Sequence, residues 1–463
     1  LRAVSKVSRI LEGFYTFAVL DAESRSIAVY TSLQPIYIGV SRDLVIVSSS
    51  RYALYGYTDR VSELRADEIA ILSSEGVEVY RASDLKPVDK VFEDLKIDPS
   101  YILKDGYPHH MLREIYEIPY SILRTLSAVQ EKYLSFASRL LQGAKDIYVI
   151  ADGTSLHAGF VGSYYLSELA HVSPIVVSAA EFPLYYVENV GPGSLVIAIS
   201  QSGETGDVIR SVYEAKLRGA TILGITNYVG SRLANLSNLY LPMAAGPELA
   251  VPATKTFVST LVLLYLAALR VARDIGKITA SEYREKVLRL KSYALGLRGY
   301  MPRIDRTASE AAKNIATCRS GYVVSRGITY PIAMEGALKL KEAAYVHAEG
   351  MEAGEFKHGP IVLVEKGFFT IFIVPVERMS AEATYPLIRM AREKEATVVA
   401  IGFEGDENLK SIEAITTITV PPADRHVAPI ALTIPIQFVA YRLGELLKRP
   451  IDSPRYLTKA VIQ

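Results

Sequence analysis

The feature of this sequence that most limits how it can fold is an internal repeat at an offset of about 174 residues. Three apolar strand patterns recur in the same order, pairing Asp146–Ile150 with Gly321–Ser325, Leu195–Ile199 with Phe369–Ile373, and Gly219–Thr226 with Glu395–Gly402. Helix-length segments separate the strands, an alternation typical of parallel sheets covered by helices. Chance similarity between buried strands is the alternative. The repeat predicts an α/β fold with two doubly wound parallel-sheet domains in tandem.

The first part of the chain has a different pattern. Short runs of β-branched and aromatic residues occur at Phe14–Leu20, Ser26–Tyr30, Pro35–Val40 and Leu44–Ser49. Turn residues separate these runs, which predicts a mainly β region in the form of an antiparallel sandwich or barrel. The polar stretch Pro87–Pro119 predicts a linker, and the α/β alternation begins near Ser121.

Charge and cysteine content exclude several classes of protein. The 463 residues carry 51 Lys and Arg against 50 Asp and Glu, so the basic excess of a nucleic-acid binder is absent. A single cysteine, Cys318, excludes an internal disulfide framework and favours a reducing cytoplasm; we expect it to be a buried apolar residue. The apolar run Thr256–Leu269 is too short to span a membrane and predicts a buried helix. The histidines lack ligand spacing and no dinucleotide fingerprint is present, so we expect neither a metal nor an organic cofactor.

A hydroxyl-rich turn follows one strand of the first copy. The strand Leu195–Ile199 is followed by Ser200, Gln201, Ser202, Gly203, Glu204 and Thr205, and a helical pattern then begins. Backbone N–H groups, hydroxyls and a helix N-terminus together predict a phosphate site at the carboxyl end of a parallel strand. An ordinary helix cap is the alternative. The second copy has Val374–Glu377 at this point, and Thr154 and Ser155 give a weaker signal of the same kind.

A group of ionisable residues stands in the second copy. On a helix, Glu335, Lys339 and Glu342 share one face, and His358 follows in a Gly-Pro turn. A solvated salt-bridged face is the simple alternative, although Gly336 indicates a close approach of backbone. A carboxylate, an amine and an imidazole together suit proton transfer at a sugar carbon.

Five motifs carry a resemblance to a known family. They are Ser200–Thr205, Val251–Lys255, Glu335–Glu342, Glu355–Pro360 and the tail Asp452–Lys459. In order and spacing these motifs resemble the glutamine–fructose-6-phosphate aminotransferase (isomerizing) family, whose isomerase half is a tandem of two sugar-isomerase (SIS) domains. The resemblance covers roughly residue 120 to the end and agrees with the repeat.

The resemblance implies roles for particular residues. Fructose 6-phosphate would be held by Thr154, Ser155, Ser200, Gln201, Ser202, Thr205 and Val251. Lys459 would form a Schiff base with the C2 ketone, which makes the adjacent C1 proton easier to remove. Glu342 would move a proton between C1 and C2, with Lys339 assisting. His358 would assist ring opening in a neighbouring subunit, so a homodimer or larger homo-oligomer is expected.

The N-terminal region resembles the later part of that family's glutaminase domain, in Glu12–Val19 and the strands after it. The N-terminal cysteine of such domains is not present, because position 1 is Leu. Three explanations are open: the sequence lacks about the first 130 residues of a normal synthase, the corresponding part is encoded separately, or the protein uses free ammonia. The start at Leu1 favours the first.

The predicted organisation assigns residues 1–105 to the partial glutaminase domain, 106–137 to a linker and helix, 138–280 and 281–450 to the SIS domains, and 451–463 to a catalytic tail. The expected partners are fructose 6-phosphate and ammonia or glutamine, with no nucleic acid and no membrane. Two other functions stay open: a SIS-type deaminase or isomerase of amino-sugar phosphates, and a non-catalytic sugar-phosphate sensor. The glutaminase-like strands argue against the first, and Lys459, Glu342 and His358 together argue against the second.

Overall fold

The computed structural model describes residues 1–11, 15–32, 36–49, 51–95 and 104–459. The chain divides into two compact units. The first, here called the β unit, has Leu1–Leu103 as its body. The second, called the α/β unit, comprises Lys104–Gly203 and Val208–Lys459.

The β unit begins with helix α1 (Arg2–Ile10) and continues almost entirely as strands. These are β1 (Thr16–Asp21), β2 (Ser26–Thr31), β3 (Ile36–Val40), β4 (Val45–Ser48), β5 (Arg60–Leu64), β6 (Glu68–Ser73), β7 (Gly76–Arg81) and β8 (Glu93–Asp94). One antiparallel sheet has the order β1-β2-β6-β7, and the other has the order β4-β3-β5-β8. Val29 and Leu72 of the former share a core with Ile38 and Leu64 of the latter. The predicted mainly β region is confirmed as an antiparallel sandwich.

The expected linker becomes helical toward its end. Lys104 already belongs to the α/β unit, which opens with α2 (His110–Tyr116), α3 (Ile118–Ala128) and α4 (Glu131–Gly143). Met111 and Ile115 are fully buried. These helices fall in the range 106–137 that was predicted as linker and helix. The polar residues between the buried ones, such as Arg113 and Glu114, have hydrogen-bond partners inside the unit. Residues 96–103, also part of the expected linker, lie outside the described residues.

The first copy of the repeat is a parallel sheet with helices between its strands. Its elements are β9 (Asp146–Ala151), α5 (Gly153–Ala170), β10 (Ile175–Ser178), α6 (Phe182–Tyr185), β11 (Ser194–Ile199), α7 (Gly206–Leu217), β12 (Thr221–Thr226), α8 (Arg232–Leu236), β13 (Leu239–Pro242) and α9 (Lys255–Asp274). The strand order is β10-β9-β11-β12-β13, with every pairing parallel.

The second copy repeats this arrangement after helices α10 (Ala280–Leu297) and α11 (Met301–Ile315). It contains β14 (Ser320–Ser325), α12 (Tyr330–Lys339), β15 (His347–Glu352), β16 (Phe368–Ile373), α13 (Arg378–Glu393), β17 (Thr397–Phe403), α14 (Glu407–Lys410), β18 (Thr416–Val420) and α15 (Ala428–Leu446). Its parallel sheet has the order β15-β14-β16-β17-β18. The order matches the first copy strand for strand, which confirms the predicted tandem of parallel-sheet domains.

Helix α9 lies at the centre of the α/β unit. By length and apolarity it could cross a membrane, but 94% of its apolar window is buried inside the protein. It packs against α3, α4 and α5. The prediction of a buried core helix is confirmed.

Candidate active site

The site is built where two neighbouring parallel strands end. Strands β9 and β11 pair in register, with Ala198 opposite Ile150. The segments that follow them therefore leave the same edge of the sheet, the edge at which open α/β sheets bind ligands. Thr154 and Ser155 lie in the first turn of α5, and the Ser200–Thr205 loop leads into α7.

The Ser200–Thr205 loop is a tight turn that depends on glycine. Gly203 has φ +67°, and a Cβ added there would lie 2.1 Å from Oγ of Ser231. Its backbone N–H donates to Oγ of Ser200 over 3.0 Å, and Oγ of Ser202 lies 3.5 Å from that hydroxyl. The turn thus holds the hydroxyls of the loop close together immediately before a helix N-terminus, an arrangement suited to a phosphate.

One donor in this loop is buried without a partner. Among the described residues, none accepts a hydrogen bond from Nε2 of Gln201. A buried amide without an acceptor is costly, and a bound anion would supply the missing acceptor. Sequence reasoning predicted Gln201 in the phosphate site, and this unsatisfied donor is the feature that a ligand would explain.

A buried charged group faces this edge from the second copy. Nζ of Lys339 donates to Oγ1 of Thr154 over 3.0 Å, lies 3.3 Å from Oε1 of Glu335, and also pairs with Oε2 of Glu342. The side chains of Lys339 and Glu335 are 0% exposed. The structure therefore excludes the alternative of a solvated salt-bridged face.

The electrostatics of the group favour a charged lysine. Burial alone would lower the pKa of Lys339, but the negative charges of Glu335 and Glu342 outweigh it and raise the pKa above its ordinary value. Lys339 is therefore an ammonium held between two carboxylates. Such a group can orient a carboxylate and stabilise negative charge that develops on an adjacent oxygen.

Local helix geometry places Glu342. Helix α12 ends at Lys339, and Leu340–Ala344 continue as a π-helix, a widened turn that is frequent at functional sites. Helix α12 also packs very closely on α15, because a Cβ at Gly336 would lie 2.4 Å from Cγ1 of Ile436. The close approach inferred from this glycine is confirmed.

Lys459 and Val251 form a separate group. Nζ of Lys459 donates to Oε2 of Glu248 over 2.8 Å and to the carbonyl oxygen of Ala250 over 2.5 Å. The N–H of Val251 donates to the carbonyl oxygen of Asp452 over 2.9 Å. In the described part of the chain, no hydrogen bond or ion pair joins Lys459 to Lys339 or Glu342.

His358 and Cys318 lie outside both groups. His358 is exposed, follows the short helix Glu355–Lys357, and has no hydrogen-bond partner for its imidazole among the described residues. Cys318 was expected to be buried but is half-buried, and its thiol lies 3.4 Å from Oγ1 of Thr397. Within the described ranges, His, Cys, Asp and Glu form no cluster that could hold a metal ion.

Sequence reasoning missed several residues of the site. His157, one helical turn after Thr154, holds Oε2 of Glu335 through Nδ1 at 2.8 Å; the spacing from Thr154 was a usable signal. Glu248 and Glu114 were also missed. The signal for Glu248 was weak, a single acid in an apolar segment that ends at Val251.

The comparisons with known proteins agree with one another. The SIS domain family matches residues 140–270 and 314–443. Glutamine–fructose-6-phosphate aminotransferase (isomerizing) of Pyrobaculum aerophilum is 37% identical over 99% of this chain and 75% of its own length, and that of Aeropyrum pernix is 36% identical over 100% and 76%. The C-terminal domain of glucosamine-fructose-6-phosphate aminotransferase from Francisella tularensis superposes with a TM-score of 0.71 at 30% identity, covering 76% of this chain and 100% of that domain. This chain therefore belongs to the glutamine–fructose-6-phosphate aminotransferase (isomerizing) family.

Proposed function

We propose that this chain converts fructose 6-phosphate into glucosamine 6-phosphate, with nitrogen from glutamine or ammonia. The observation that carries the proposal is the buried Lys339 group beside the Ser200–Thr205 loop at one sheet edge. One part suits a phosphate and the other suits proton transfer. A sugar phosphate that is isomerised needs both.

Each part has a task in the proposed reaction. Ser200, Gln201, Ser202, Thr205, Thr154, Ser155 and Val251 hold the sugar phosphate. The amine of Lys459 attacks the C2 ketone and forms an imine, which acidifies the C1 proton. Glu342 then moves a proton between C1 and C2, and the Lys339 ammonium keeps that carboxylate in place.

A second copy of the chain completes the site in this proposal. The exposed position of His358 fits a histidine that assists ring opening in a neighbouring subunit. We therefore propose a homodimer or a larger homo-oligomer. The single cysteine fits a reducing compartment, and we place the enzyme in the cytoplasm.

The test is an assay of the purified chain with fructose 6-phosphate and either ammonium or glutamine, in which glucosamine 6-phosphate and glucose 6-phosphate are followed. We expect glucosamine 6-phosphate with ammonium, and a loss of about 1000-fold or more for Lys459→Ala because the imine cannot form. Lys366→Ala, at an exposed lysine, is the matched control and keeps full activity. Binding of fructose 6-phosphate without any turnover would favour the sensor, and release of ammonia from glucosamine 6-phosphate without synthesis would favour the deaminase.

A further inference from the structure

A buried carboxylate at Lys459 has no task in the mechanism above. Glu248 is 1% exposed and lies on the segment just before α9. Its Oε1 accepts from the N–H groups of Thr254 and Thr256, and its Oε2 accepts from the Thr256 hydroxyl and from Lys459. The carboxylate is thus fixed by the start of α9, and Lys459 is the cation that it contacts in the described structure.

A second carboxylate holds the same segment through its backbone N–H groups. Oε1 of Glu114, on helix α2, accepts from the N–H groups of Leu249 and Ala250. Its Oε2 is buried and has no hydrogen-bond partner among the described residues. Because the Ala250 carbonyl oxygen accepts the other hydrogen bond from Lys459, Glu114 positions both groups that hold the amine.

The carboxyl groups of Glu248 and Glu114 differ in charge. Burial would raise the pKa of Glu248, but the charge of Lys459 and several hydrogen bonds lower it to about 2. Burial, and then the negative charge of Glu248, raise the pKa of Glu114 to about 8. The other buried lysine nearby, Lys255, is paired with Glu117. Near neutral pH, Glu248 is therefore the ionised carboxylate that faces Lys459.

We propose that Glu248 is the positioning residue of Lys459, an inference that rests on the proposed function. In the sugar-free chain Glu248 and the Ala250 carbonyl oxygen hold the ε-ammonium in one place. When the sugar arrives, the ammonium releases one proton to water and the neutral amine forms an N–C2 bond. The C2–O bond then breaks, and the oxygen leaves as water with the amine's second proton and one proton taken from water. The product is a protonated imine, and no oxidant or reductant is needed.

The first experiment needs no sugar. Reductive methylation with formaldehyde and cyanoborohydride at neutral pH is followed by peptide mass spectrometry, with exposed Lys366 as the internal standard. In the wild-type chain we expect Lys459 to be methylated more slowly than Lys366, because its amine is held by Glu248 and the Ala250 carbonyl oxygen. In Glu248→Gln we expect its methylation to rise at least about fivefold, because loss of the charge-assisted hydrogen bond frees the amine. The amide oxygen of Gln can still accept from Thr254 and Thr256, so the start of α9 is kept.

A matched variant and a conservative one separate positioning from unfolding. Glu117→Gln removes the neighbouring buried pair and is expected to free Lys255 while leaving Lys459 protected. Glu248→Asp keeps the charge and restores most of the protection of Lys459, which a merely unfolded segment would not do. Equal methylation of Lys459 in wild type, Glu248→Gln and Glu248→Asp would overturn the inference.

The second experiment adds fructose 6-phosphate and traps the imine with borohydride. Glu248→Gln is expected to trap the Lys459 adduct about 100-fold more slowly because the amine is no longer held in one place. The dissociation constant of fructose 6-phosphate should be unchanged because the phosphate loop is intact. If the imine is trapped at the same rate in Glu248→Gln as in the wild type, the inference about Glu248 is overturned and the proposed function is not. Absence of any adduct in the wild type, with Lys459 still protected by Glu248, would overturn the proposed function instead.

Discussion

The copies of the repeat have the same strand order and different chemistry. In the first copy, β11 ends in the Ser200–Thr205 loop, where Gly203 folds the hydroxyls into a tight turn. In the second copy, β16 is followed by Val374–Glu377, which has no Ser or Thr hydroxyl, and Pro375 has no N–H to donate. This edge of the second sheet therefore lacks the hydrogen-bond donors that suit the first copy to a phosphate.

The second copy contributes through a helix instead. Helix α12 carries Glu335 and Lys339 to Thr154 of the first copy. In the proposed function, one copy supplies the turn that binds the phosphate and the other supplies the groups that move a proton. A duplicated sheet can therefore keep its topology while the residues at the ends of its strands differ between the copies.

The largest expected effect tests the half assigned to the second copy. Glu342→Gln keeps the shape of the side chain and removes the carboxylate that we propose moves a proton between C1 and C2. We expect kcat to fall about 1000-fold, equivalent to about 4 kcal/mol, with imine trapping at Lys459 retained. Glu407→Gln is the control, since this exposed acid of the second copy also pairs with a lysine three residues away. An equal fall in kcat for Glu342→Gln and Glu407→Gln would contradict the assignment of proton transfer to Glu342.

Helices α2 and α11, which precede the two copies, each contain a buried acidic residue, and the two residues differ in their partners. Asp305 on α11 pairs with Arg442 through both oxygens at 2.6 Å, whereas one oxygen of Glu114 on α2 has no described partner. The raised pKa of Glu114, about 8 against 4.5, means that its contribution to stability is complete below pH 4.5 and is lost as the pH rises toward 8.

Opposite outcomes are therefore expected for the amide variants. As the pH rises from 5 to 8, the free energy of unfolding of Glu114→Gln should come to exceed that of the wild type, by about 3 kcal/mol at pH 8. Asp305→Asn should be about 3 kcal/mol less stable than the wild type at pH 5 and at pH 8. Urea unfolding followed by circular dichroism at each pH measures this. A gap between Glu114→Gln and wild type that shrinks as the pH rises would contradict the assignment.

The next prediction tests how closely helix α12 packs against α15. Gly336→Ala places a methyl group against Ile436, and we expect a loss of about 2 kcal/mol because a packed core resists an added methylene. Gly143→Ala, at the end of α4 with nothing within 4 Å of the added Cβ, is expected to be neutral or slightly stabilising. The urea midpoints of the two variants measure these changes in stability. A loss of stability in Gly143→Ala but not in Gly336→Ala would contradict the packing argument.

The smallest expected effect tests the half assigned to the first copy. Ser202→Ala removes one hydroxyl of the loop, and KM for fructose 6-phosphate should rise about tenfold with kcat little changed. Val376→Ala, in the corresponding segment of the second copy, should leave KM unchanged. A larger rise for Val376→Ala than for Ser202→Ala would place the phosphate in the other copy.

Much of the architecture could be predicted because its signals are local. Strand periodicity located β9, β11 and their counterparts, and helical spacing brought Lys339 and Glu342 onto one face. The Ser200–Thr205 turn was evident from strand, glycine and hydroxyls in a row.

The rest depends on contacts between distant parts of the chain. Glu114 meets Leu249 across 135 residues, and Lys459 meets Glu248 across 211. Nothing near Glu114 indicates that a buried backbone segment will use it, so the range containing α2 was predicted as a linker and helix with no role in the site. The role of Lys459 came from the family resemblance alone, because a terminal lysine has no periodic context.

The π-helical turn at Leu340–Ala344 has a consequence for how this sequence can change over time. The turn ends at Tyr345, which has φ +60°, and no helix follows it directly. Deleting a residue such as Leu340 would place Glu342 two positions after Lys339 instead of three, and residues two apart on a helix do not face each other. Glu342 would then leave Lys339. We therefore expect relatives that keep this pair to keep the same number of residues through the turn.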